Sequence, residues 1–579
     1  MKIRFLMLSA LAAVLTASVA GASEPELVVL PIDRAKFWAG QKFDFECELR
    51  GAKADAIDVT VNGQPIAEFF GEKPGFTASD ELSSLRADGV TFAKPGDVTV
   101  SASARSGGKT YQAVKHYTVV QESIKKPVKN VILYIGDGMG LQSRQIARIL
   151  SKGITEGKYN GLLSMEQLTD GTALLTTSGY DSLVTDSANS ASAYATGHKS
   201  VVNAMGVYEN ATPDPMDDPK VEDLAEILRR AKGMSIGLVT TASVTDATPA
   251  AFVSHTRRRA EQNYVATEML KADVVLGGGA RYFLPKSTAG SKRTDDRNLV
   301  EEFKKAGYAF AGNRKELAAA GGDKILGLFA MNHMNVYIDR EILKDPEVLG
   351  HFTDQPNLME MTAAALDRLS KNKNGFFLMV EGACIDKQIH TMDWQRAAYD
   401  TIEFDKAIEL GRQFAKEHGD TLIICTADHS HGISITGTYH ERDGKTGRNA
   451  VRTYADAGFP TFSDANGDGF PDNPDPDVTL AVQYANFPDH YENYRFLPRP
   501  TDPAVMDGKV ARANKERNPN GRMISGDIPE GDPQEVHAAD DVPLSAAGRG
   551  AEYFKGVMDN TEVFYGIMRA LGVKATAGR

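Results

Sequence analysis

The sequence predicts an α/β protein: a mostly parallel central sheet flanked by helices on both faces, preceded by a small all-β sandwich. Three observations carry that prediction. Residues 25 to about 122 run in short, mostly alternating segments broken by turn formers, the pattern of half-buried strands. From Asn130 the texture changes to continuous apolar runs such as Val131-Ile-Leu-Tyr-Ile135, as in strands buried on both faces. Those runs alternate with helical stretches, and alternating β and α argues for parallel strands with helices packed on them.

The chain has 579 residues, 42% of them apolar, enough for more than one domain and a large core. A formal net charge of −12 makes nucleic acid and anionic membrane surfaces poor partners and leaves acidic side chains for metal. Lys2 and Arg4 flank an apolar run over 5–19, and Ala20-Gly-Ala22 has the small-x-small form of a cleavage site. Residues 1–22 therefore read as a signal peptide, and the expected location is periplasmic or secreted. No later stretch is apolar and long enough to span a membrane, so no transmembrane segment is expected after signal removal. Cys47, Cys384 and Cys425 are too few for a disulfide framework; the last two lie in or beside apolar runs and read as small buried hydrophobes.

In chain order, strands are expected near 27–30, 43–47, 57–61, 98–103 and 117–120, with turns at Val61-Asn-Gly63 and Ser106-Gly-Gly108. This reads as an immunoglobulin-like sandwich over 25–122, without a chemical constellation. Lys125-Lys-Pro-Val-Lys129 is a polar linker into a second domain over 127–575. Strands are expected there at 130–135, 171–177, 235–240, 272–277, 375–380 and 421–426, and helices at 141–150, 220–231, 358–370 and 394–417. Val184-Thr-Asp-Ser-Ala-Asn-Ser-Ala-Ser-Ala-Tyr-Ala-Thr-Gly197 reads as the end of a buried strand, a turn at Asp186-Ser187, then a small-residue helix closed by Gly197. Residues 436–530 form an insert rich in Gly, Pro, Asp and Asn with little periodicity. Within it Asp464, Asn466, Asp468 and Asp472, with Gly469 at the sixth position, match a calcium loop. Asp475 stands where the helix–loop–helix version has Glu, and no flanking helices are evident. A bound Ca2+ and a solvated acidic loop are both open readings.

In a parallel α/β sheet the functional site lies beyond the carboxyl ends of the strands. Past those ends stand Asp137; Asp186 and Ser187; Asp246-Ala-Thr248, then His255 and Arg259; Glu381, Asp386, Lys387 and His390; Asp428-His429; and, near the C-terminus, His537. Each alone reads as readily as a helix cap or a hydrogen-bonded histidine. Together they converge on one sheet edge. Asp386 and His390 are spaced i, i+4 and share a helix face. So many carboxylates at close range require cations, and metal ions supply them. His and Asp ligands suit zinc; an all-oxygen set suits magnesium.

These residues sit in Tyr134-Ile-Gly-Asp-Gly-Met-Gly140, the Val184–Gly197 stretch, Asp246-Ala-Thr-Pro-Ala-Ala251, Glu381-Gly-Ala-Cys-Ile-Asp-Lys-Gln-Ile-His390, Thr426-Ala-Asp-His429 and Val536-His537. In that order and over about 128–575 the chain resembles alkaline phosphatase of the exported bacterial type. The resemblance implies an alkaline-phosphatase-like fold and hydrolysis of small phosphate monoesters through a phosphoseryl intermediate at a two-zinc, one-magnesium site. It makes Ser187 the nucleophile and Arg259 the phosphoryl clamp. It gives Asp386, His390 and His537 to one zinc, and Asp137, Asp428 and His429 to the other. Magnesium falls to Asp137, Thr248 and Glu381, with Asp246 through water. Lys387 and Asp186 position phosphate and its clamp. His431 and His440 compete with His537 as third ligand of the first zinc, and the motif match favours His537. The family often forms homodimers, so a homodimer is a further expectation. The alternatives are a phosphodiesterase of the same superfamily and, from another class, a metal-binding adhesion protein led by the β-sandwich.

Overall fold

The computed structural model describes residues 24–574; the signal-peptide reading of residues 1–22 lies outside the described residues. Two sheets make up the N-terminal part. One orders Glu26–Leu30, Lys42–Arg50, Leu82–Thr91 and Gly75–Ala78, all antiparallel. The other orders Lys36–Trp38, Lys109–Val120, Gly96–Ser106, Ala56–Val61 and Gln64–Pro65. Alternating side chains from both sheets meet in a core that contains Phe37, Phe43, Phe45, Val59, Val100 and Tyr117. That core also takes in Tyr208 and Val221 from the second part, so the sandwich is welded to the larger domain. Trp38 Nε1 donates to the Val573 carbonyl at 3.1 Å, fixing the same seam.

The second part is built on a ten-stranded sheet. Across it run Ala309–Ala311, Ile325–Leu328, Val274–Gly278, Ser235–Ser243, Phe376–Gly382, Asn130–Gly136, Thr421–Ala427, Val542–Ala547, Gly171–Thr176 and Lys555–Asp559. Every pairing is parallel except the two made by Val542–Ala547. The central strands are buried along their whole length, which is why they read as unbroken apolar runs. Helices such as Leu141–Lys152, Leu358–Leu369 and Trp394–His418 pack on the sheet. Register sets the functional edge: Gly136 lies level with Gly382 on one side and Ala427 on the other. The chain leaves all three strands at the same height, next to Asp137, Ala383 and Asp428.

Some expectations need correction. Residues 183–184 do not end a buried strand. Leu183 is 74% and Val184 40% exposed, in a bend with no ladder partner; a two-residue apolar pair is too short to carry a strand. The 436–530 insert, which shows little periodicity in sequence, carries short strands. Ile433–His440 and Val478–Tyr484 pair antiparallel beside Val451–Arg452, with small hairpins further on.

Candidate functional site

Ser187 is the first residue of the helix Ser187–Thr196. The helix starts there because Asp186 caps it: Asp186 Oδ1 accepts from Asn189 N at 3.2 Å, and Asn189 Oδ1 accepts from Asp186 N at 3.1 Å. The small residues behind allow close packing, and all ten helix residues are buried. Ser190 Oγ and Tyr194 OH each donate 2.6 Å bonds, to the carbonyls of Asp428 and Ala427, locking the helix to the neighbouring strand end. Ser187 Oγ thus sits beside the positive end of a helix. It donates to Asp137 Oδ1 at 3.4 Å and lies 3.2 Å from His429 Nε2.

Around it the strand ends deliver two clusters. In the first, His390 Nε2, His431 Nε2 and His537 Nε2 approach Asp386 Oδ1 at 3.3, 2.7 and 3.5 Å. In the second, His429 Nε2 lies 3.3 Å from Asp137 Oδ1 and 3.4 Å from Asp428 Oδ2. Within each cluster one ligand atom per residue lies within 4.8 Å of all the others. The tight turn after Asn130–Gly136 requires glycine. Gly138 has φ +64°, and a Cβ there would fall 2.7 Å from the His431 ring and 3.1 Å from Asp386 Oδ1.

Cationic side chains frame the same space. Arg259 forks, one nitrogen 3.1 Å from Asp186 Oδ2 and the other 2.7 Å from Asp246 Oδ1. Lys387 Nζ stands 3.0 Å from Asp386 Oδ2, 3.4 Å from Asp137 Oδ2 and 3.6 Å from Asp246 Oδ2. Glu381 Oε2 accepts from Thr240 Oγ1 at 2.5 Å. Burial, with the Asp137 charge beside it, pushes the Glu381 carboxyl up to about 8. Burial and the neighbouring His537 push the His429 imidazole down to about 4. Against burial, Glu535 and Asp386 lift His431 up to about 10.

The polar groups do not satisfy one another. Thr248 Oγ1, Asp428 Oδ2 and His429 Nδ1 are buried with no hydrogen-bond partner among the described residues. Native interiors rarely leave such atoms bare without a missing water or ion. Three imidazoles around one carboxylate oxygen, and two carboxylates around another imidazole, are donor sets that suit divalent metal.

The structure gathers Ser187, Asp186, Asp137, Asp246, Arg259, Glu381, Asp386, Lys387, His390, Asp428, His429 and His537 in this one network, with Thr248 in the turn that Asp246 starts. Arg257 does not join it; its guanidinium binds the Asn210 and Thr212 carbonyls. His440 is remote, held by Thr438 Oγ1 and the Ala457 carbonyl at 2.8 Å each. Sequence reasoning gave no role to Glu535, which grips His431 Nδ1 and accepts from Gly432 N at 3.2 Å. Nor did it find Thr240 or His333, the latter 3.8 Å from Asp246 Oδ2. Glu535 stands two residues before His537, and that spacing was its only signal.

Asp464, Asn466, Asp468 and Asp472 do fold into one turn, but their oxygens accept from the loop's own amides, as from Gly467, Gly469 and Phe470. Asp475 lies 3.1 Å from the Arg495 guanidinium.

Comparison with known proteins agrees with this picture and places the chain among phosphatases. A sequence model of the family described as alkaline phosphatase matches residues 128–573. Alkaline phosphatase 4 of Bacillus subtilis is 30% identical over 474 residues, 80% of this chain and 92% of that protein. Alkaline phosphatase of Escherichia coli is 33% identical over 395 residues, 61% of this chain and 80% of that protein. Among solved structures, a variant of the alkaline phosphatase from the Antarctic bacterium TAB5, with magnesium bound, superposes with a TM-score of 0.51 at 25% identity, covering 77% of this chain and 98% of that one. The chain belongs to the alkaline phosphatase family. It is a phosphatase, acting on phosphate monoesters in the general sense of that family. Among the described residues no helix is long and apolar enough to cross a membrane.

Proposed function

We propose that the chain hydrolyses small phosphate monoesters through a phosphoseryl intermediate on Ser187. The observation that carries this reading is the position of Ser187 Oγ. It is buried at a helix N-terminus, within 3.4 Å of both Asp137 and His429, with the Arg259 fork anchored on its own N-cap. Ser187 Oγ gives up its proton to solvent and attacks phosphorus, the bond to the ester oxygen breaks, and the alcohol leaves with a proton from solvent. Water then attacks the phosphoserine, the Ser187 Oγ–phosphorus bond breaks, and inorganic phosphate departs. Arg259 supplies planar donors for two non-bridging oxygens, which suits a terminal phosphate. Asp186 and Asp246 hold its fork in place, and Lys387 and Arg259 hold the Asp246 carboxylate ionised against burial.

The bare buried atoms and donor sets fit metal ions. Asp386, His390 and His537 would hold one zinc; Asp137, Asp428 and His429 the second. Asp137, Thr248 and Glu381 would hold magnesium, with Asp246 reaching it through water. His537 fits the first zinc better than His431. Its Nδ1 lies 2.8 Å from the Thr185 carbonyl, leaving the Nε2 lone pair free. His431 has a carboxylate on each nitrogen, Glu535 on Nδ1 and Asp386 on Nε2, and so braces Asp386. Bound metals lower the pKa of a coordinated hydroxyl or water and stabilise the attacking and leaving oxygens of an in-line displacement.

The test compares p-nitrophenyl phosphate with its bis-ester and traps the enzyme in acid during turnover. The expected outcome is faster monoester hydrolysis, with phosphate on Ser187 by mass spectrometry. Faster bis-ester hydrolysis would assign a phosphodiesterase instead. Bound zinc with only a trace of phosphatase activity, left unchanged by Ser187→Ala, would favour the metal-binding adhesion reading.

A further inference from the structure

The helix Leu224–Lys232 opens with a capping box of its own: Asp223 Oδ1 accepts from Glu226 N at 2.9 Å, and Glu226 Oε2 accepts from Asp223 N at 3.4 Å. His255 stands over that box. Its Nδ1 lies 3.0 Å from the Gly206 carbonyl, which only accepts, so Nδ1 carries a proton and donates it there. The approach is close because residue 206 is glycine: φ is +64°, and a Cβ would fall 2.5 Å from Nδ1. The other ring nitrogen, Nε2, faces Glu226 Oε2 at 3.1 Å and Asp223 Oδ2 at 3.5 Å.

That geometry is incomplete as it stands. Asp223 is fully buried, and its Oδ2 has no hydrogen-bond donor among the described residues. A neutral imidazole would aim a lone pair at two carboxylates. An imidazolium offers one N–H to two acidic oxygens and leaves one of them unpaired. Burial, with the Glu226 charge beside it, pushes the Asp223 carboxyl well up. The 3.1 and 3.5 Å from Nε2 to Glu226 Oε2 and Asp223 Oδ2 are close to the separation of roughly 3.4 Å expected for tetrahedral donors each about 2.1 Å from a shared ion.

We propose that Asp223, Glu226 and His255 bind one divalent transition-series cation, zinc or manganese, at a site sharing no residue with the strand-end clusters. Mixed nitrogen and oxygen donors select such an ion over calcium or magnesium. The proton on Nδ1, held by a backbone carbonyl, orients Nε2 as a ligand. The surroundings leave room for the charge. Lys271 Nζ takes Glu226 Oε1 at 3.1 Å and Glu268 Oε2 at 2.8 Å, so one ammonium serves two carboxylates and leaves Glu226 Oε2 to the Asp223 amide and His255. Glu226 and His255 line a cleft of about 660 Å³ that Lys42 and Asp44 of the sandwich also line, with Asp223 buried behind them. An ion there ties two separate segments beside the seam between the two parts. One of them is the segment that runs on from His255 to Arg259.

The experiment uses the full chain saturated with metal and freed of loose ions, with Asp223→Asn and Glu226→Gln beside it. Both variants keep a competent capping box. Elemental analysis is expected to give each variant one zinc or manganese fewer per chain than the wild type, with unchanged circular dichroism and unchanged release of phosphate from p-nitrophenyl phosphate. Equal metal content in all three proteins overturns the proposal and leaves the trio as a buried imidazolium. A second measurement is independent of the variants and of the strand-end clusters: anomalous scattering from wild-type crystals grown with zinc or manganese. A peak about 2.1 Å from His255 Nε2 is expected; its absence at saturating metal overturns the site even where the strand-end clusters are occupied.

Discussion

The strand-end clusters and the Asp223–Glu226–His255 cluster use the same side-chain chemistry but are assembled differently. At the strand ends, the carboxylates of Asp137, Asp246, Glu381, Asp386 and Asp428 come from four separate segments, and Lys387 and Arg259 are the cationic side chains that meet them. Local spacing joins only Glu381 to Asp386; sheet register brings the four segments together. In the second cluster two of three ligands lie one helical turn apart and already have a job as a helix cap. A fold invests in the first arrangement only if the concentrated charge does something. The second arrangement carries a structural duty whether or not an ion is present. The comparison is therefore tested by what each cluster loses when one carboxylate oxygen becomes an amide.

The largest effect is expected at the strand ends. Ser187→Ala removes the attacking oxygen, and kcat/KM for p-nitrophenyl phosphate should fall on the order of 10³-fold or more, with no phosphoenzyme trapped. Asp428→Asn should approach that loss, because metal-assisted charge stabilisation is worth several kcal/mol. Chelation should abolish activity in the wild type, and zinc with magnesium should restore it. Activity that survives verified metal removal would break the parallel between charge density and catalysis.

Next in size, Asp386→Ala should cost far more than His431→Ala. His431 touches Asp386 and Glu535 and acts by orienting the former; partners of that kind typically cost about 10–100-fold when removed. Equal losses would mean that His431, and not His537, completes the first zinc. Arg259→Ala belongs to the same range: removal of a charged hydrogen-bond donor costs roughly 1.5–3 kcal/mol, read here as weaker discrimination of monoester over diester.

Most of this arrangement was legible before the fold was known. Runs such as Val131-Ile-Leu-Tyr-Ile135 and Thr421-Leu-Ile-Ile-Cys-Thr426 announce strands covered on both faces, and the residues just past them are the site. What escaped notice lacked a local signal. Ala309–Ala311 is three residues long and lies at the sheet edge. Val542–Ala547 contains Pro543 and runs antiparallel, and a proline argues against a strand inside a sheet. Thr240 lies within an apolar strand, and only its register opposite Glu381 gives it a partner. Asp223-x-x-Glu226 is visible as a helix start, yet nothing in its spacing points to His255, which is adjacent only because Gly206 lets it in.

A pH experiment sharpens the comparison in the metal-stripped protein. The folded chain raises Glu381 from an ordinary 4.5 to about 8. The folded state therefore holds that proton more tightly than the unfolded one, and stability falls as pH rises from about 4.5 to about 8. The melting temperature of the stripped wild type should decline across that window. Glu381→Gln, which cannot ionise, should decline less. Identical slopes would show that Glu381 is already neutralised by Lys387 without metal.

The smallest effect is expected from Asp223→Asn, the counterpart of Asp428→Asn in the second cluster. Asparagine and aspartate are about equally good helix caps, so the cap itself should change by only a few tenths of a kcal/mol. Asp223 makes no contact with Ser187, Arg259 or the strand-end ligands, so turnover should be preserved. What should change is the response to metal. An ion that binds only the folded state stabilises it by about 2.7 kcal/mol at a concentration one hundred times its Kd. Zinc or manganese should therefore raise the melting temperature of the wild type more than that of Asp223→Asn, while activity stays matched. A variant that melts like the wild type at every metal concentration would assign the cluster to capping alone. The difference between the two regions would then be absolute: an imidazole among carboxylates collects metal only where sheet register leaves it more acids than the chain can pair.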